Sequence, residues 1–205
     1  MRNRVIGLTT QGRLALISGN GREMPFEVQP GRRTVFLLLD CSGSMAGSKM
    51  RQAQEGAADF AKSAIAQDYA VGIIRFSGEA TLATRPSQVL EATIGALRAL
   101  TPSGSTNMTE AFDLTLSHMG TISGYRAIVL VTDGQPDDPT TAVAAAQRVA
   151  AAGIQVMTIG TDDADLEFLA RLATTQKLAV KVDPRQLRQG VASAARMLPS
   201  PGRSC

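Results

Sequence analysis

Tryptophan is absent from this sequence, tyrosine and cysteine occur twice each, and histidine occurs once. With so few aromatics, the core has to be packed by Leu, Val, Ile and Ala. Cys41 and Cys205 are too few for a disulfide framework and match no zinc-ligand spacing. Cys205 is the last residue of the sequence and so misses the four-residue prenylation pattern. No apolar run approaches the roughly 18 residues needed to cross a bilayer. The start, Met1-Arg2-Asn3-Arg4, is basic, but Gln11, Gly12 and Arg13 interrupt the next stretch before a signal-peptide core forms. These absences point to a soluble, cytoplasmic protein with no membrane contact.

A chain of 205 residues, 44% hydrophobic, predicts one α/β domain with a small appendage. The formal net charge of +3 is unevenly placed. Residues 1–33 carry six arginines (Arg2, Arg4, Arg13, Arg22, Arg32, Arg33) against Glu23 and Glu27, so the basic excess belongs to this arm. It lacks a dense Lys/Arg run and interleaved aromatics, which argues against nucleic acid as a partner. Turn signals at Gln11-Gly12 and at Ser18-Gly19-Asn20-Gly21 divide it into short strands at residues 5–9, 14–17 and 25–28. The organisation expected is a basic β-rich, hairpin-like extension over 1–33, a main domain over 34–198 and a flexible tail over 199–205.

From residue 34 apolar strands alternate with amphipathic helices. Strands are expected at 34–39, 69–76, 80–83, 126–131, 154–159 and 178–182. Helices are expected at 48–67, 87–100, 106–119, 140–152, 165–173 and 184–197. Near-continuous apolar strands predict a doubly wound, mostly parallel six-stranded sheet with helices on both faces. The strand at 80–83, joined to its predecessor by Ser77-Gly78-Glu79, is expected as an antiparallel edge. Ligands of such sheets bind beyond the carboxyl ends of the strands, where strand order reverses.

The stretch Asp40-Cys41-Ser42-Gly43-Ser44-Met45 lies at one such end. A carboxylate followed by two alternate hydroxyls is a partial ligand set for a hard cation, which takes oxygen donors; Mg²⁺ in particular takes six in an octahedron. Further oxygens are expected elsewhere. Thr106, in Ser105-Thr106-Asn107-Met108, and Asp133, in Thr132-Asp133-Gly134, supply them. The competing structural reading has Ser42 and Ser44 capping the next helix and Asp40 making an Asx-turn.

In their order and spacing these three motifs resemble the metal-ion-dependent adhesion site of von Willebrand factor type A (VWA) domains. The resemblance covers about residues 34–198. It implies a Rossmann-like fold and Mg²⁺ held by Asp40, Ser42, Ser44, Thr106 and Asp133, with Mn²⁺ or Ca²⁺ as substitutes. It also implies one open coordination position, framed by Gly43, Met45, Asn107 and Gly134, for an Asp or Glu of a partner protein. The wording of the loops, Leu-Leu-Leu-Asp-Cys-Ser-Gly-Ser-Met and Val-Thr-Asp-Gly-Gln-Pro-Asp-Asp, looks most like bacterial TerY-type proteins. That subgroup is associated with tellurium resistance and with kinase and phosphatase partners. A second reading within binding modules is an accessory subunit of an AAA+ ATPase of the chelatase or MoxR-associated type.

Enzymatic readings fit the residues less well. Gly43-Ser44-Met45-Ala46-Gly47-Ser48-Lys49 has its glycines too close, and its Lys-Ser order reversed, for a phosphate-binding P-loop. Ser42 and Ser44 lack the flanking glycines of a hydrolase elbow, and His118 lies late in a helix. A metal-dependent phosphoester hydrolase would need a general base beside the ion, and both carboxylates are already required as ligands. Cys41 is expected to be a buried, inert thiol. A non-enzymatic protein-binding module is the function expected.

Overall fold

The computed structural model describes residues 5–8, 14–17, 23–24, 33–162 and 164–200. The chain divides into two compact units, Met1–Gly31 and Arg32–Cys205. In the first, β1 (Val5–Leu8), β2 (Leu14–Ile17) and β3 (Glu23–Met24) form an antiparallel sheet in the order β1-β2-β3. The third strand lies at Glu23–Met24, and the stretch 25–28 expected to form it falls outside the described residues.

The second unit contains β4 (Arg33–Asp40), α1 (Ser48–Ile65), β5 (Tyr69–Phe76), β6 (Ala80–Ser87), α2 (Leu90–Arg98), α3 (Met108–Met119) and β7 (Arg126–Thr132). Next come α4 (Pro139–Ala151), β8 (Gln155–Gly160), α5 (Leu166–Leu172), β9 (Ala179–Lys181) and α6 (Leu187–Ser193). The sheet has six strands in the order β6-β5-β4-β7-β8-β9. All pairings are parallel except β5 with β6, so β6 is the antiparallel edge.

β4 explains this architecture. Every residue from Thr34 to Asp40 is buried, because successive side chains point to opposite faces and both faces are covered. Val35, Leu37 and Leu39 pack with α1, α2 and α6, whereas Phe36 and Leu38 pack with α3, α4 and α5. Helix α1 fits its face through Met50, Ala53, Ala57, Phe60, Ala61 and Ala64, a stripe at steps of three and four. From β4 the chain crosses by α1 to β5 on one side, and it returns after α3 to β7 on the other. Strand order therefore reverses between β4 and β7, and the crevice at their carboxyl ends is where Asp40 and Asp133 stand.

Two elements differ from expectation. β6 runs on to Ser87 instead of stopping at residue 83, and it takes Pro86 because an edge strand has one row of backbone donors with no partner to meet. The closing helix breaks into a 3₁₀ turn (Pro184–Gln186), α6 and a second 3₁₀ turn (Ala194–Met197). Asp183 accepts from the Arg185 N–H (2.9 Å) and Ser193 donates back to the Gly190 carbonyl (2.8 Å), tightening both ends. Beyond it, the Pro199 carbonyl accepts from Arg33 Nη1 (2.5 Å) and from the Tyr69 hydroxyl (2.8 Å), and residues 201–205 lie outside the described set. Among the described residues no helix is long and apolar enough to cross a membrane.

Candidate metal centre

The carboxyl ends of β4 and β7 deliver two carboxylates to the switch point. Asp40 is fully buried and Asp133 is 2% exposed. Asp40 Oδ1 accepts from the Ser42 N–H (2.8 Å) and Oδ2 accepts from the Thr132 hydroxyl (2.6 Å), which fixes the carboxylate's rotation. The first of these bonds is an Asx-turn, as the structural reading anticipated. The capping part of that reading does not hold: α1 has Gly47 at its N-cap with no side-chain cap bond. Ser42 Oγ instead lies 3.0 Å from Ser44 Oγ, and Ser44 donates to Asp133 Oδ1 (2.8 Å). Asp40, Ser42, Ser44 and Asp133 thus form one connected oxygen cluster.

Thr106 lies in the loop before α3, and that loop is bonded to the one that carries Ser42. Gly104, in the left-handed region at φ +80°, turns its carbonyl to the Gly43 N–H (3.0 Å), and the Ser103 N–H donates to the Cys41 carbonyl (2.6 Å). These bonds hold the 101–107 loop against the 41–43 loop. The hydrogen bonds at Thr106 itself run through its backbone, where its N–H donates to Asp137 Oδ1 (3.0 Å) and its carbonyl accepts from the Asp137 N–H (3.0 Å).

The expected rim around the open position needs correction. Gly43 is exposed and Gly134 half-buried, but Met45 is fully buried in the core beneath the loop. An apolar thioether gains more by packing under α1 than by facing solvent. The Asn107 side chain is engaged structurally, its oxygen accepting from the Glu110 N–H (3.2 Å) to cap α3 and its nitrogen donating to the Gly78 carbonyl (3.3 Å).

Lys49, Thr132, Asp137 and Asp162 stand beside these residues, although the motifs give none of them a role as a ligand. The Lys49 ammonium pairs with Asp133 Oδ2 and, at 2.8 Å, with Asp162 Oδ2. Burial pulls the Lys49 pKa down, but the hydrogen bonds and charges of Asp133 and Asp162 outweigh it and leave the pKa above the ordinary lysine value. Asp40 is pushed above the usual carboxylate range, by burial first, with the Thr132 and Ser42 hydrogen bonds opposing and the Asp133 charge adding. Among the described residues Asp40 has no ion-pair partner. A fully buried carboxylate beside a second one, without its own counter-charge, is an environment that a divalent cation would complete. The oxygen-only donor set suits Mg²⁺, Mn²⁺ or Ca²⁺, and the lysine ammonium already supplies one positive charge there.

Cys41 is buried, and burial together with the adjacent Asp40 pushes its thiol up to about 12. In a Cys205→Ser background the native protein should therefore resist iodoacetamide at pH 8 and react fully in denaturant, followed by mass spectrometry. Fast labelling of the native state would show the loop to open.

Comparison with solved structures shows the same architecture. The vWF domain of the type V pili tip protein Mfa5 from Porphyromonas gingivalis superposes with a TM-score of 0.75 at 14% identity, over 82% of this chain and 95% of that one. Proximal thread matrix protein 1 from the mussel byssus, solved with a zinc-occupied MIDAS motif, superposes at 0.66 and 15% identity, over 81% and 46%. In sequence, a UPF0353 protein of Mycobacterium tuberculosis (strain ATCC 25177 / H37Ra) is 31% identical over 148 residues, 62% of this chain and 44% of that protein. The chain thus spans less than half the length of this relative. A family model for the von Willebrand factor type A domain matches residues 34–189, from the start of β4 into α6 and across both carboxylates of the crevice. By that match, on this sheet and this strand order, the chain belongs to the von Willebrand factor type A domain family.

Proposed function

We propose that this chain is a non-enzymatic, metal-dependent protein-binding module. In it Asp40, Ser42, Ser44, Thr106 and Asp133 hold a divalent cation whose remaining position takes an Asp or Glu of a partner. The observation that carries the reading is Asp40, buried and clamped by Ser42 and Thr132 yet without a counter-ion among the described residues. Mg²⁺ is the ion expected, with Mn²⁺ or Ca²⁺ as substitutes. When bound, the ion supplies Lewis acidity toward an oxygen from outside the chain.

The protein's own groups determine how that acidity is used. Clamping by Ser42 and Thr132 orients Asp40, so no rotamer freedom is lost on binding. The hydroxyls of Ser42, Ser44 and Thr106 donate oxygen without charge, so the two carboxylates only balance the ion's charge, and weak neutral donors in the rest of its shell leave it receptive to a partner's carboxylate. Gly43 and Gly134 carry no side chain at the rim, giving a partner carboxylate room to approach. Asp40 is committed to Ser42 and Thr132, and Asp133 to Ser44 and Lys49, so neither is offered as a general base.

The zinc-occupied motif of the mussel protein supports divalent binding in this family. The partner class is the finer part of the proposal. It is a kinase or phosphatase of a TerY-type, cytoplasmic tellurite-resistance complex, with an AAA+ ATPase as the second reading. Capture from bacterial lysate on the immobilised chain tests both levels. Partner retention should require Mg²⁺ and vanish with EDTA, and mass spectrometry of the retained protein distinguishes kinase or phosphatase from ATPase. Retention indifferent to EDTA would overturn the metal-dependent reading, and phosphoester turnover tracking Asp40 would replace it with an enzymatic one.

A further inference from the structure

We propose that Lys49 is the site's internal counter-cation. It shares Asp133 and Asp162 when the metal position is empty and moves wholly onto Asp162 when a divalent ion takes Asp133. The inference rests on the metal-binding reading above and adds to it a residue pair that sets the affinity.

Three observations support it. First, Lys49 breaks a local rule. It is the second residue of α1, whose N-terminal end carries partial positive charge, and α1 has neither an acidic residue in its first turn nor a side-chain cap. A cation is disfavoured there unless something else holds it, and what holds it is the pair Asp133 and Asp162.

Second, the two carboxylates are unequal. The Asp133 side chain is 1% exposed and bonded into the oxygen cluster, whereas that of Asp162 is 36% exposed and outside it. Asp162 sits in the left-handed region (φ 48°), just after Thr161, whose N–H is bonded to the Thr132 carbonyl (3.1 Å). That tether fixes the β8 loop beside the end of β7, so Asp162 is placed to receive an ammonium leaving Asp133. The lysine side chain, long and flexible, makes the short transfer within its own reach.

Third, the charges linked to Lys49 balance. Asp40, Asp133 and its neighbour Asp162 against Lys49 leave two negative charges, the complement of one divalent ion, while Asp137 is tied to the Thr106 backbone instead. Without Asp162 the ammonium would have Asp133 alone as its partner and would compete directly with the metal. Without Lys49, the uncompensated charge of nearby Asp162 would add to those of Asp40 and Asp133 and reduce the ion's appetite for a partner's carboxylate. Lys49 thus keeps Asp133 in place and neutralised while no metal is bound, and weakens metal binding to a level at which a partner's Asp or Glu still adds to it.

Isothermal titration of the full chain with Mg²⁺ and with Mn²⁺ tests this. Lys49→Met should tighten binding by about tenfold and Asp162→Asn should weaken it by about tenfold. In the double variant the Asp162→Asn effect should shrink to about twofold, since the ammonium it parks is gone. Thermal melting gives a second, opposite-signed readout: Lys49→Met should melt lower than wild type without metal and gain more on adding Mg²⁺. A merely structural lysine would move the first melt without changing the gain. If wild type binds the ions and Lys49→Met binds them no better, the counter-cation role is overturned and the metal site stands. If neither protein binds them, the metal site falls and this inference with it. Asp162→Asn alters an exposed side chain and keeps the test readable should Lys49→Met fail to fold.

Discussion

Asparagine in place of Asp40 should make the metal-free protein melt higher and, at the same time, abolish its response to Mg²⁺. The carboxylate is fully buried, and burial, reinforced by the charge of Asp133, disfavours its ionised form despite two hydrogen bonds. An amide keeps an oxygen for the Ser42 N–H and removes one of two adjacent negative charges. The Thr132 hydroxyl, left without Oδ2 as acceptor, can accept from the new NH₂ and already lies 3.3 Å from the Gly134 N–H. Removing a buried, unpaired charge while keeping its hydrogen bonds is expected to stabilise by roughly 1 kcal/mol or more, about 2–4 °C in a domain of this size. The proposed cation would lose one of its two anionic ligands, and its affinity should fall by about 100-fold or more, ~2.7 kcal/mol. Scanning fluorimetry with and without Mg²⁺ measures both. A lower metal-free melt combined with an intact Mg²⁺ gain would show Asp40 to be structural and the ion to sit elsewhere.

Local pattern explains which parts of the molecule could be read from residues alone. β4 was legible because five consecutive apolar residues, Val35 to Leu39, admit a strand buried on both faces and little else. The antiparallel edge was legible from its turn, but its length was not, since Thr81 to Ser87 mix exposed and half-buried residues without a clean alternation. Oxygen donors followed by glycine at two strand ends marked the crevice. Met45 was misplaced because loop adjacency says nothing about which way a side chain faces, and burial of an apolar group decided it. Lys49 and Asp162 were missed for a different reason. Their pairing joins the start of α1 to the loop after β8, and no local period encodes such a contact. A cation opening α1 against the helix dipole was the available hint. The two carboxylates belonging to the motif are both buried, and the charge of Asp133 disfavours that of Asp40, so contacts from residues outside the motif matter around them.

The other large effect lies in the core beneath the site. Gly72 of β5 is the direct partner of Phe36 in β4, and a methyl group at position 72 would sit inside the van der Waals envelope of the Phe36 ring. The ring is fully buried among α3 and α4 residues and has the His118 ring at 6.4 Å, so it can give way only by shifting packed neighbours. Gly72→Ala should therefore destabilise by about 1–3 kcal/mol or more, although alanine is better tolerated than glycine in a strand. Phe36→Leu alone should also destabilise, by leaving a cavity where the ring was. Combined, the two substitutions should cost less than their sum by about 1–2 kcal/mol, because the smaller side chain vacates the volume the methyl needs. Urea unfolding of the four proteins gives the coupling directly. Additive losses would mean that position 72 lacks a side chain for some reason other than the ring. Mg²⁺ affinity of the folded double variant should stay near wild type, since none of the proposed ligands is altered; a loss there would show that the packing of β4 against β5 sets the position of Asp40 at the strand's end.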